Sequence, residues 1–281
     1  MNPEPRVWIT GAGGLLGSHL LRSAPHGNVT GLTREMLDLT DFAAVARRFA
    51  TDRPTLIIHA AALSKSPMCQ ARPALARQIN VTATQRLAAL AQDIGFIFFS
   101  TDQVFDGAKG NYAETDPLHP LNIYGETKAA AEEAVLKNPR HTVVRLALCG
   151  GISPKGGASF NEELAAAWQQ DRTVKLFADE FRSPLVAPVA ARAVWELAER
   201  QTPGIFHLGG GERLSRLDLG KLVAARHPEL SPRFEAVSLS TYQGAPRAPD
   251  TSLCCTKIQG LLSFRLPGLG QWLTENPDAP F

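Results

Sequence analysis

Val7-Trp8-Ile9-Thr10-Gly11-Ala12-Gly13-Gly14-Leu15-Leu16-Gly17 decides the fold. Four residues of high β propensity run straight into glycines at 11, 13, 14 and 17, and helical spacing follows over residues 15–22. Glycine permits a tight turn, lets backbone approach a pyrophosphate, and lets a helix pack close on a strand. The first turn of that helix offers unpaired N–H donors and a partial positive charge. A glycine loop at the first strand–helix junction therefore predicts a dinucleotide site made by Gly11, Gly13, Gly14, Leu15, Leu16 and Gly17.

Outward from this loop, short apolar runs alternate with helical patterns. Strands are expected at 6–10, 28–32, 55–61, 96–100 and 142–148, and helices at 15–22, 42–49, 74–92 and 125–137, with Asp41 placed to cap the second helix. Runs this uniformly apolar suit parallel strands covered on both faces. The alternation predicts an α/β fold, a Rossmann-type doubly wound parallel sheet whose ligands sit beyond the carboxyl ends of the strands. After Gly150 the texture changes, with helices expected at 162–170, 189–200 and 216–226 and a strand at 204–208. The expected division is a cofactor-binding domain over 1–150, completed by about 185–210, and a smaller substrate lobe over 151–184 and 211–281.

Composition excludes several classes. The chain has 281 residues, 44% of them hydrophobic and 20% charged, with a net charge of +2, so disorder is not expected. From residue 151 onward 14 basic residues face 14 acidic ones, which leaves no basic stripe for nucleic acid. The apolar runs are too short for a membrane span, and the opening Met-Asn-Pro-Glu-Pro lacks the apolar core of a signal peptide. The four cysteines, 69, 149, 254 and 255, suggest neither a disulfide framework nor metal-ligand spacing, and the expectation is a reduced, cytoplasmic protein with no metal.

An NAD site would place an acid at the end of the second strand, but this chain reads Gly31-Leu32-Thr33-Arg34 there. With no acid and a guanidinium that can pair with a 2′-phosphate, NADP(H) is preferred, NAD(H) remaining open. Asp38 either meets the adenine edge or caps the next turn. Tyr124 and Lys128 stand four apart, on one face of a helix. A phenol with pKa near 10 exchanges protons poorly at neutral pH, and a neighbouring ammonium pulls that value down. Phe98-Phe99-Ser100-Thr101-Asp102-Gln103 runs out of an apolar strand into polar residues, where Thr101 can hydrogen-bond a carbonyl and its developing oxyanion. His59 and Trp8, Trp168, Trp195 and the phenylalanines of 96–99 are read as core.

Taken together, these residues resemble the extended short-chain dehydrogenases/reductases, more narrowly the dTDP-4-dehydrorhamnose reductase-like family. The resemblance is carried by the glycine loop, Asp38-Leu39, His59-Ala60-Ala61, residues 100–107 and Tyr124-x-x-x-Lys128. Further matches are Tyr112-x-Glu114-x-Asp116, Arg145, Phe160, Asp179-x-x-Arg182-Ser183-Pro184 and Arg247-x-x-Asp250. It implies reduction of a keto group, on a 4-keto-6-deoxy nucleotide sugar, by a nicotinamide cofactor. Thr101, Tyr124 and Lys128 would be catalytic. Thr33, Arg34, Asp38, Leu39, Ala60, Ala61, Ala62, Ser100, Tyr124 and Lys128 would join the glycine loop around the cofactor. Thr101, Asp102, Gln103, Leu148, Arg182 and Arg247 would meet the sugar nucleotide.

The sequence departs from the family where the sugar is held. Gln103 replaces an aromatic residue, Leu148 replaces a tryptophan, residues 63–69 lack the usual pattern, and Cys254-Cys255 stand where an acid is common. Around Asn122–Lys128 the chain also resembles the beta regulatory subunit of methionine adenosyltransferase, which likewise lacks the tryptophan, so a non-catalytic NADP-binding subunit is the alternative, with a nucleotide-sugar epimerase or dehydratase third. The expected partner is a small-molecule nucleotide sugar, with no nucleic acid or membrane and a homodimer left open.

Overall fold

The structure is a computed structural model that describes residues 5–25 and 27–281, so Met1, Asn2, Pro3 and Glu4 of the opening segment lie outside the described residues. In chain order its first half runs β1 (Val7–Thr10), α1 (Leu15–Arg22), β2 (Val29–Leu32), α2 (Phe42–Asp52), β3 (Leu56–His59), α3 (Ser66–Ala71), α4 (Pro73–Arg77), α5 (Ala83–Leu90), β4 (Gly95–Thr101), α6 (Ile123–Val135) and β5 (Thr142–Leu146). Then follow β6 (Cys149–Gly150), α7 (Phe160–Trp168), β7 (Val174–Phe177), β8 (Phe181–Arg182), β9 (Leu185–Val186), α8 (Ala187–Arg200), β10 (Gly204–Leu208), β11 (Leu214–Ser215), α9 (Arg216–Arg226), β12 (Phe234–Val237), α10 (Thr256–Gln259) and α11 (Leu269–Glu275).

Six strands form one parallel sheet in the order β10-β5-β4-β3-β1-β2. The chain moves outward from β1 to β2, then crosses back over β1 to β3. That reversal opens a crevice at the carboxyl ends of β1 and β3, where open α/β sheets bind ligands. Alternating side chains pack on opposite faces. Val7, Ile9, Ile58, Ile97, Phe99 and Val144 meet Leu20 of α1 and Val194 of α8 on one side. Trp8, Ile57, Phe96, Phe98 and Val143 meet Val45, Leu87 and Ala131 of α2, α5 and α6 on the other. Both faces are covered, which is why the strands read as unbroken apolar runs.

The helix expected over 74–92 runs continuously over 73–90 but changes its hydrogen-bond pattern midway. Residues 78–82 between α4 and α5 take a π-helical turn around Asn80. Asn80 is buried, and its side chain leaves the helix to bond elsewhere, so the ladder bulges there. The helix α3 was also not foreseen, because its six residues are too few to show periodicity. Beyond residue 150, β7 pairs with β12, β8 with β11 and β6 with β9, while β10 returns to the edge of the central sheet. Among the described residues no helix is long and apolar enough to cross a membrane, and no three His, Cys, Asp or Glu side chains are grouped to hold a metal.

Candidate active site

The glycine loop turns at Gly11, whose φ of 72° is in the left-handed region. A Cβ on Gly11 would lie 2.7 Å from the Ala61 nitrogen, so the loops after β1 and β3 are in contact across the crevice. A Cβ on Gly17 would lie 2.2 Å from the Gly11 carbonyl oxygen, which shows how closely α1 sits on the loop. Asp41, Asn122, Ser159 and Ser215 cap α2, α6, α7 and α9, but among the described residues no side chain caps α1. Its first N–H groups are therefore left for another acceptor.

Thr33 adjoins Gly13, whose added Cβ would be 3.7 Å from the Thr33 methyl carbon. Arg34 is exposed beyond it. Asp38 accepts from both the N–H and the hydroxyl of Thr40, at 2.9 and 2.7 Å. Of its two readings, capping the turn is thus what the structure displays. Leu39 packs against the Trp8 cluster, a core contact.

The strand β4 delivers Ser100 and Thr101, the 3-10 turn after it Asp102 and Gln103, and α6 Tyr124 and Lys128. Gly125 makes this juxtaposition possible, since a Cβ there would be 2.2 Å from the Gln103 carbonyl oxygen. The Thr101 hydroxyl donates to the Asp102 carboxylate at 3.2 Å, and both Thr101 and Tyr124 line the same cleft. Tyr124 is 9% exposed and Lys128 2%. Burial pushes the phenol's pKa up, and the neighbouring Asp102 carboxylate adds to the rise. Burial pushes the Lys128 amine down to about 7, opposed by Glu132 one turn along and by Cys69. The ammonium lies 4.0 Å above the Phe98 ring. Burial first, with Asp102 beside it, therefore keeps Tyr124 a protonated phenol, where the sequence led us to expect that Lys128 lowers its pKa.

Asn80 explains how this corner is held. Its side-chain oxygen accepts the Leu63 N–H at 2.8 Å, and its amide donates to the Leu63 carbonyl at 3.1 Å and to Thr127 at 3.0 Å. The loop after β3 is thereby pinned to the helical turn bearing Tyr124 and Lys128. The signal was present as an asparagine inside a run of good helix formers. His59 is a satisfied core histidine, bonded to Thr10 at 2.6 Å and Thr84 at 2.9 Å and held down to about 3 by burial.

Ser100, Thr101, Tyr124, Leu15, Leu148 and Arg247 line one cleft of about 550 Å³, which Asp102, Gln103 and Arg182 also border. Ala60, Ala61 and Ala62 are half-buried beside the loop, and Lys128 lies beneath Tyr124, outside the lining. The Ser100 hydroxyl is buried with no hydrogen-bond partner among the described residues. A buried orphan hydroxyl and an uncapped helix on the same cleft fit a ribose-phosphate ligand.

The far wall rests on Glu180, which sequence reasoning missed. This carboxylate is 0% exposed and accepts from Arg182 and Arg216 at 3.0 Å each and from Arg247 at 2.6 and 2.9 Å. The three guanidiniums hold it at about 2 against the opposing effect of burial. Arg182 also faces Asp102 at 3.8 Å and donates to Thr251. Two carboxylates against three guanidiniums leave this wall positive, suited to an anion. No local spacing announces it, because residues 102, 180, 216 and 247 meet only in space. A second cavity of about 450 Å³ continues past Arg216 and Arg247, floored by Leu164, Leu176 and Leu219.

A parallel doubly wound sheet with an open glycine loop, and a Thr-Tyr-Lys cluster facing a cationic wall, define the architecture of an extended short-chain dehydrogenase/reductase. Residues 5–275 match the RmlD substrate binding domain, and the chain belongs to that family. It is 31% identical to the methionine adenosyltransferase 2 subunit beta of Xenopus laevis, over 96% of this chain and 84% of that one. Identity to a dTDP-4-dehydrorhamnose reductase of Streptomyces griseus is likewise 31%, over 88% of this chain and 90% of the other. Among solved structures, the dTDP-4-dehydrorhamnose reductase of Bacillus anthracis in complex with NADP superposes with a TM-score of 0.89 at 23% identity, covering 96% of this chain and 98% of that one.

Proposed function

We propose that the protein is an NADP(H)-dependent reductase of a keto group on a nucleotide-linked sugar, of the 4-keto-6-deoxy type that the related reductases are named for. One observation carries the reading: Thr101 and a protonated Tyr124, with Lys128 buried one helical turn beyond, stand on a cleft that also reaches Leu15 at the uncapped start of α1. The glycine loop, Thr33, Arg34, Ala60, Ala61, Ala62 and Ser100 would hold the dinucleotide, which when bound supplies a hydride to the carbonyl carbon. Tyr124 gives its proton to the carbonyl oxygen, which Thr101 orients, and the product is the alcohol. A raised pKa keeps the donor protonated at neutral pH, and the Lys128 ammonium stabilises the phenolate left behind. Arg182 and Arg247 face the nucleotide's charged end. The lobes follow the same division, 1–150 with 185–210 for the cofactor and 151–184 with 211–281 for the sugar. In this reading the enzyme is cytoplasmic, meets neither membrane nor nucleic acid, and leaves a homodimer open. Loss of NADPH absorbance with a nucleoside-diphosphate 4-keto-6-deoxyhexose tests it, and Tyr124→Phe lowers kcat by about 10²–10⁴-fold. Unchanged turnover in that variant rejects the assigned acid.

A second reading, a non-catalytic NADP-binding regulatory subunit, is supported by the likeness to methionine adenosyltransferase 2 subunit beta over nearly the whole chain. Purification with a larger enzyme, NADP bound and no turnover on any keto sugar, favours it.

A further inference from the structure

Gln103 borders the cleft beside Thr101, and the structure determines which end of its amide is already engaged. Asn122 caps α6 by accepting the Gly125 N–H at 3.0 Å, which only its side-chain oxygen can do. Its amide nitrogen therefore lies on the other side, where it donates to the Pro246 carbonyl at 3.2 Å. Two backbone groups, one only a donor and one only an acceptor, thus agree on the orientation of Asn122. The same nitrogen lies 3.2 Å from Gln103, so the Gln103 atom opposite it is the oxygen, which also accepts from Ser66 at 3.1 Å. The Gln103 amide nitrogen is left with no partner among the described residues, on a residue that lines the cleft. Gln103 is in turn tied to the catalytic corner, for its backbone N–H donates to the Thr101 hydroxyl at 3.2 Å.

We propose that Gln103 is a specificity-determining residue whose oriented amide N–H donates to a substrate oxygen beside the reacting carbonyl, so that the site selects keto sugars with a hydroxyl next to that carbonyl over their deoxy counterparts. An aromatic ring at this position offers a face and no amide donor. Gln103 is held by three groups before substrate arrives, so its donor is placed without further ordering. A substrate lacking the oxygen leaves that donor facing the sugar unpaired, which is the basis of strong discrimination by polar sites. This inference rests on the reductase reading and refines the same site.

The test compares a nucleoside-diphosphate 4-keto-6-deoxyhexose with its 3-deoxy analogue. The wild type favours the hydroxylated sugar by about ten-fold in kcat/KM, a modest ratio because Gln103 is only half-buried. Gln103→Met, similar in volume and without the donor, brings the ratio close to one, chiefly through KM, while NADPH affinity stays unchanged. Asn122→Asp keeps the cap on Gly125 but sets an acceptor opposite Gln103; the amide turns over and the ratio falls in the same way. A Gln103→Met ratio equal to the wild type overturns the proposal. Should the wild type turn over neither sugar, the reductase reading fails separately. Calorimetry with the two sugar nucleotides then decides: unequal affinities that Gln103→Met makes equal support the inference, and equal wild-type affinities overturn it.

Discussion

At the glycine-loop end of the cleft the surface offered to a ligand is backbone: the free N–H groups of α1, the Gly11 turn, and the contact of Gly11 with Ala61. At the opposite end it is made of side chains, Arg182, Arg216 and Arg247, drawn together by the buried Glu180. The first wall comes from one run of residues, 11–17, backed by Ala61, and the second from four segments separated by up to 145 positions, 102 to 247. Backbone sites have a local sequence signature because only glycine tolerates the geometry. Side-chain sites have none, since any arginine in the right place serves.

Breaking the backbone wall should have the largest effect. Gly17→Ala sets a methyl group 2.2 Å from a backbone oxygen that cannot swing aside, and is expected to cost about 5 kcal/mol and abolish NADPH binding. Thermal unfolding together with NADPH fluorescence measures both losses, and a stable variant that still binds NADPH refutes the close packing.

Next is the side-chain wall. Glu180→Gln leaves three buried or half-buried guanidiniums without their carboxylate and is expected to destabilise by about 3 kcal/mol. Urea unfolding reads this value, and a change under 1 kcal/mol would mean that the arginines do not depend on it.

Acid probes the buried histidines first and the side-chain wall at lower pH. His59 lies beneath the loop end and His207 beneath the Arg145–Glu132 pair; burial holds each at about 3, against 6.5 in the unfolded chain. Below pH 6.5 the unfolded chain binds protons that the folded one excludes, so stability falls with pH until about 3. At pH 5 each histidine accounts for about 2 kcal/mol, read as a lower urea midpoint than at pH 7. Below pH 4.5 the depressed Glu180 carboxyl adds a loss of the same sign.

The smallest effect sharpens the contrast. Arg34 is the one side chain proposed to give the backbone wall its cofactor preference, so Arg34→Ala should weaken NADPH about ten-fold, or about 1.4 kcal/mol, and leave NADH unchanged. Equal losses for both cofactors would remove Arg34 from the 2′-phosphate.

The glycine loop, the uniformly apolar strands and the Tyr124–Lys128 spacing were legible in the sequence because each depends on residues within one turn or one strand. By themselves these determined a doubly wound sheet with Leu15, Thr101 and Tyr124 along one cleft. Helix ends were less legible: α6 begins at Ile123 and not at residue 125, because the Asn122 side chain takes over the first donor. What only the tertiary structure decided was whatever depends on burial or on distant partners. Tyr124 keeps its proton because burial disfavours the phenolate and the neighbouring Asp102 carboxylate acts in the same direction. Asn80 opens a π-helical turn to bond the loop at Leu63. The Gln103 amide oxygen is taken by Asn122 and Ser66 because a helix cap and the carbonyl of Pro246 orient Asn122. Pattern along a chain reports which face a residue takes, but solvation and hydrogen-bond direction are set by neighbours that the folded backbone brings from elsewhere.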